Sequence, residues 1–116
     1  MKPSEIYNKF DIVVLPFPFS DLKTSKKRPA LVISSRKEFG SDTNCSIVMM
    51  ITTAKKSFWP GDVLIKDIKS AGLIKDCYIR FKFFTIDNRL ILSKKGKLTD
   101  GDSNRLKKQF GKIINL

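Results

Sequence analysis

The sequence contains no histidine, and its only two cysteines, Cys45 and Cys77, lie far apart. Without an imidazole, Ser-His-Asp and Cys-His catalysis are ruled out, because both need a side chain that accepts and returns a proton near neutral pH. A zinc site of Cys and His cannot be assembled within one chain either. The two thiols are expected reduced and buried rather than joined in a disulfide. Phosphate-cradling glycine loops are missing, since neither GxGxxG nor GxxxxGK[ST] occurs. The longest apolar run, Ile47-Val48-Met49-Met50-Ile51, is far short of the ~20 residues of a membrane-spanning helix. The polar start, Met1-Lys2-Pro3-Ser4-Glu5, leads into no apolar stretch of the kind a secretory leader has. These absences predict a cytoplasmic, soluble chain with no membrane partner. Any chemistry it performs must work without imidazole, zinc or a nucleotide-binding fold.

Acidic residues are also scarce: 11 Asp and Glu against 23 Lys and Arg, a net charge of +12. Up to Phe58 there are 10 basic and 5 acidic residues, and after it 13 and 6, so the surplus is spread over the chain and is no basic tail. Such a surplus suits a polyanion, because phosphates release counterions when Lys and Arg bind them. It equally suits a well-solvated surface with no polyanion partner. The 116 residues fit one compact domain, 1–116, and a 41% hydrophobic share is enough for a single core.

Short apolar segments recur between turn signals, which predicts a strand-rich chain. Strands are expected at Asp11–Leu15, stopped by Pro16 and Pro18, and at Ala30–Ser34, entered through Arg28-Pro29. The almost wholly apolar Cys45–Thr52 is expected as a central strand, and Asp62–Ile65 as a fourth. Asp67–Gly72 reads as one helical turn closed by glycine. Further strands are expected near Cys77–Arg80, Phe83–Thr85 and Leu90–Leu92. Thr99 and Asp102 resemble an N-cap pair, and Leu106, Phe110 and Ile113 or Ile114 then follow on one helical face.

With no histidine available, three places could carry chemistry. Lys26-Lys27-Arg28-Pro29 sets three cations at a loop-to-strand junction, and the planar fork of Arg28 pairs well with phosphate oxygens. Thr52-Thr53 ends the apolar strand with two hydroxyls. Lys55-Lys56 precedes Trp59, a mixture that suits base stacking and backbone tracking. Each also has a structural reading: a solvated loop end, ordinary strand propensity, or packing of the Trp59-Pro60-Gly61 turn.

In order, Asp11-Ile12-Val13, Pro16-Phe17-Pro18-Phe19, Lys27-Arg28-Pro29-Ala30-Leu31-Val32, Met50-Ile51-Thr52-Thr53 and Trp59-Pro60-Gly61-Asp62-Val63 resemble the MazF/PemK family, toxins of type II toxin–antitoxin systems. Ala71-Gly72-Leu73, Phe84-Thr85-Ile86-Asp87 and Gly96-Lys97-Leu98-Thr99 continue the likeness, which spans about residues 10–116. Phe10 stands where many relatives have glycine, and Thr53-Ala54 where a Gln or Ser often follows the threonine.

The resemblance implies a mainly β, SH3-like/CcdB-type curled barrel of short antiparallel strands with a C-terminal helix, working as a homodimer. It implies a sequence-specific, metal-independent endoribonuclease with no cofactor, cutting single-stranded RNA and so inhibiting translation and growth. It makes Arg28 and Thr52 the catalytic pair, with Phe19, Lys27, Pro29, Thr53, Lys55 and Lys56 as RNA contacts. Its protein partner would be a cognate antitoxin whose acidic, flexible segment lies on the basic surface. The alternative is a non-catalytic nucleic-acid-binding or gyrase-targeting module on the same fold.

Overall fold

The computed structural model describes residues 5–17, 26–53 and 59–116. Its strands are β1 (Asp11–Phe17), β2 (Lys26–Val32), β3 (Cys45–Thr52), β4 (Val63–Leu64), β5 (Tyr78–Asp87) and β6 (Ser93–Lys97). All pair antiparallel in the order β4-β5-β3-β2-β1-β6. The result is a curled half-barrel sheet, mainly β, with one long C-terminal helix. That helix is α2 (Asp100–Ile113), preceded in the chain by a π-helical turn at Arg36–Gly40 and a short α1 (Ser41–Thr43).

Both faces of the sheet are apolar because successive side chains on a strand point to opposite sides. Ile12, Leu31, Met49, Ile51 and Ile79 share one face with Leu98 and with Leu106 of α2. Val13, Leu15, Ala30, Val32, Val48 and Met50 share the other with Tyr7, Ile86 and Ile91. The unbroken apolar run of β3 therefore reflects burial on two sides.

Several expectations shift. β2 begins at Lys26, so Arg28 lies inside the strand rather than at its entrance. The segments Cys77–Arg80 and Phe83–Thr85 belong to one long strand, β5. Leu90–Leu92 is not a strand: Asn88–Leu90 forms a 3-10 turn, capped by Asp87 accepting the Arg89 N–H at 2.9 Å. The pairing falls instead to β6, whose Ser-Lys-Lys-Gly-Lys sequence has no strand-like apolar alternation. The Asp67–Gly72 turn closes as expected. The Leu73 N–H donates to the Ile68 carbonyl at 2.8 Å, the Gly72 N–H to that of Lys69 at 3.0 Å, and Gly72 sits at φ +74°.

This turn lies hard against β6. A Cβ on Gly96 would come within 2.6 Å of the Ala71 carbonyl carbon, backbone that cannot swing aside. Gly96→Ala is therefore expected to destabilise the protein by about 1–3 kcal/mol, read as a lower thermal midpoint. Gly111→Ala, with nothing within 4 Å of the added methyl, is expected to stabilise α2 slightly instead.

Phe10 occupies the left-handed region at φ +74°, a conformation that costs a side-chain-bearing residue about 1–2 kcal/mol. It is clamped there from both sides. Its N–H donates to the Val32 carbonyl at 2.6 Å, and its carbonyl accepts the Leu98 N–H at 2.9 Å. A glycine would adopt this conformation without that cost.

Thr99 caps α2 as predicted, its hydroxyl accepting the Asp102 N–H at 3.3 Å. The Asp102 carboxylate turns away from the helix to accept the Lys66 and Asp67 N–H groups at 3.1 and 3.0 Å, and it pairs with Arg105. Arg105 also donates to the Leu64 carbonyl at 2.7 Å. One buried carboxylate thus ties α2 to the end of β4.

Candidate active site

Ala30 pairs with Met50 across β2 and β3, and extending that register by two residues places Arg28 opposite Thr52. Opposed residues share a face, so guanidinium and hydroxyl project to the same side of the sheet. They line a hollow of about 220 Å³ with Phe17, Met50, Arg80 and Lys82. Arg28 is exposed and Thr52 half-buried.

The two β5 cations reach this hollow through a bulge. Ile51 pairs with Ile79 and Met49 with Phe83, so Arg80, Phe81 and Lys82 together face the single residue Met50. Bulges bend a strand and re-aim its side chains. Here Arg80 and Lys82 line the hollow, while Phe81 packs against Phe110 of α2 with centroids 5.6 Å apart. Arg80 is held side-on by Asp62, Nε to Oδ1 at 3.2 Å and Nη2 to Oδ2 at 2.9 Å. Hydrogen bonding to the Asp62 carboxylate outweighs burial and raises the Arg80 pKa above the ordinary arginine value. Neither cation was singled out from the sequence. In the sequence they stand within and just after the strand-like segment Cys77–Arg80, and the bulge that turns both to one hollow leaves no sequence signal.

The residues assigned to RNA contact separate by the same alternation. Lys27, Pro29 and Thr53 fall on the opposite face from Arg28 and Thr52, around a second hollow of about 630 Å³ with Val14, Leu73 and Lys95. Phe19, Lys55 and Lys56 lie outside the described residues. Among the described residues, no group of Cys, Asp and Glu could hold a metal ion. No helix among them is long and apolar enough to cross a membrane.

The chain is thus small and basic, built on a curled antiparallel sheet, with Arg28 and Thr52 lining one hollow beside Arg80 and Lys82. Its sequence matches the profile of the PemK-like, MazF-like toxins of type II toxin–antitoxin systems over residues 8–114. That match covers nearly all of the 116 residues, and the chain belongs to this family. Comparison with curated proteins finds no significant match.

Solved structures share the fold at low identity. An endoribonuclease from a mycobacterial species, in complex with its cognate antitoxin, superposes with a TM-score of 0.73 at 12% identity, covering 95% of this chain and 96% of the other. MazF from Deinococcus radiodurans gives 0.72 at 16% identity, over 97% and 99% of the two chains. A MazE–MazF structure from the same organism gives 0.75 at 15% identity, over 97% and 99%.

Proposed function

We propose that this toxin is an endoribonuclease that cuts single-stranded RNA with Arg28 and Thr52 at the reacting phosphate. The observation that carries the reading is that both line one hollow with Arg80 and Lys82, in a chain without histidine. RNA brings its own nucleophile, the 2′-hydroxyl, so the protein need not supply one. As the 2′-oxygen attacks, the phosphorus gains a fifth oxygen and the non-bridging oxygens gain negative charge. Arg28 and the Thr52 hydroxyl then act as donors placed where that charge develops. A guanidinium with a pKa above about 12 is a poor base, so the role of Arg28 is electrostatic. Departure of the 5′-oxygen leaves a 2′,3′-cyclic phosphate on one product and a 5′-hydroxyl on the other.

No step runs through a metal or a cofactor. The substrate places the reaction in the cytoplasm, and growth inhibition follows from loss of messenger RNA. The net charge of +12 favours an acidic, flexible segment of a cognate antitoxin as the controlling partner, with the toxin acting as a homodimer.

Purified protein is expected to cleave single-stranded RNA in EDTA and to leave DNA of the same sequence intact, with mapped ends carrying the cyclic phosphate and the 5′-hydroxyl. RNA that stays whole on long incubation while being retained in a salt-sensitive way would instead assign the fold to binding alone.

A further inference from the structure

Trp59 is the chain's only tryptophan, and 37% of its surface remains exposed. Its indole N–H donates to the Phe81 carbonyl at 3.3 Å, which fixes the ring to the bulge of β5. Arg80 and Lys82, from either side of Phe81, each place their charge 5.5 Å from the ring centroid. These are the same two cations that line the hollow holding Arg28 and Thr52, so the ring lies one side chain away from it. Partial exposure alone is ordinary for a tryptophan, which is rarely buried completely. This one is hydrogen-bonded, flanked by two cations and next to a phosphate-sized hollow.

We propose that Trp59 is a stacking shelf for a nucleobase adjacent to the cleaved phosphate, with Lys82 drawing in a neighbouring phosphate. The proposal rests on the RNA-cleavage reading above. Cations and an aromatic surface together are what single-stranded nucleic acid requires, since every base has a π-face and every linkage a charge. Arg80, paired with Asp62, chiefly holds the shelf in place, and Lys82, which has no ion pair among the described residues, supplies charge close to it.

Because the tryptophan is unique, its own emission reports the site. Titrating the intact protein with a labelled 2′-deoxy oligonucleotide, which cannot react, is expected to quench tryptophan emission in parallel with the anisotropy of the label. An abasic oligomer of equal charge is expected to bind more weakly and to quench little. Trp59→Leu is expected to weaken oligonucleotide binding about tenfold or more, whereas Trp59→Phe, which keeps a ring, retains most of it.

Oligonucleotide binding that leaves the emission unchanged would overturn the shelf while leaving the cleavage reading standing. So would a Trp59→Leu variant that binds and cleaves like the parent. Absence of any binding, with RNA uncut, would defeat the cleavage reading itself. Quenching by an acidic peptide but not by the oligonucleotide would assign the ring to a protein partner and overturn the proposal.

Discussion

Replacing Arg28 by alanine is expected to lower the RNA-cleavage rate by roughly 10²–10³-fold with the fold intact. The side chain is exposed within a strand whose pairing depends on backbone groups and on the apolar residues beyond it, so its removal opens no cavity. What disappears is a permanent positive charge beside the phosphate, at the stage when that phosphate becomes more negative. Thr52→Val, which keeps the branched shape and removes only the hydroxyl, is expected to lose activity in the same direction with unchanged stability. Lys27→Ala is the matched control. It removes a cation one residue away on the other face of β2, so it is expected to weaken salt-dependent RNA affinity and spare the rate at saturating RNA. Rates measured at saturation, with circular dichroism of each variant, check all three. Full activity in Arg28→Ala would place the chemistry elsewhere.

Asp102→Ala is expected to cost about 1–3 kcal/mol of stability, the range for leaving buried hydrogen-bond donors unsatisfied. The carboxylate is 3% exposed and serves the Lys66 and Asp67 N–H groups as well as Arg105. Alanine leaves those two donors unsatisfied and frees the start of α2 from the end of β4. The pH dependence follows from the same contacts. Burial alone would raise the Asp102 pKa, but the two N–H donors and Arg105 together outweigh it, and the folded value lies below the ordinary carboxylate value. A depressed folded pKa means that the contribution is complete above the unfolded pKa of about 3.9 and is lost as pH falls through the lower folded value. Urea denaturation against pH is expected to show stability falling on the acid side in the parent. Asp102→Asn, which cannot ionise, is expected to start lower at neutral pH and to flatten that fall.

Much of this architecture was legible residue by residue. The bounds of β3 coincide with the apolar run from Cys45 to Thr52 because burial on both faces leaves no room for polar alternation. The Thr99 cap and the Leu106 stripe fixed α2 from local rules alone. The family resemblance names Arg28 and Thr52 together, and the structure sets both on the lining of one hollow. Other features leave no local trace. β6 is held by backbone pairing to β1, so its lysines and serine look like a loop. Arg80 and Lys82 enter the hollow through a bulge, which interrupts the alternation on which a strand reading depends. Lys55 and Lys56, the cations expected beside Trp59, lie outside the described residues, and among the described ones Arg80 and Lys82 of β5 flank the ring.

The lysines of β6 also bear on the charge of the whole chain. That strand is one outer edge of the sheet, covered in part by the Asp67–Gly72 turn, whose Ser70 carbonyl accepts the Lys97 N–H at 3.0 Å, and an uncovered stretch of edge can recruit an extended peptide. Lys94, Lys95 and Lys97 stand along it, and among the described residues only Lys94 has an ion-pair partner, Asp11 at 3.2 Å. A second copy adding a strand there would have to bring like charges together. The opposite edge, β4, spans just two residues and offers almost nothing to template on. Part of the net +12 thus works as protection against sheet-to-sheet aggregation. A variant stripped of those lysines to study nucleic-acid affinity would also lose its safeguard against polymerising.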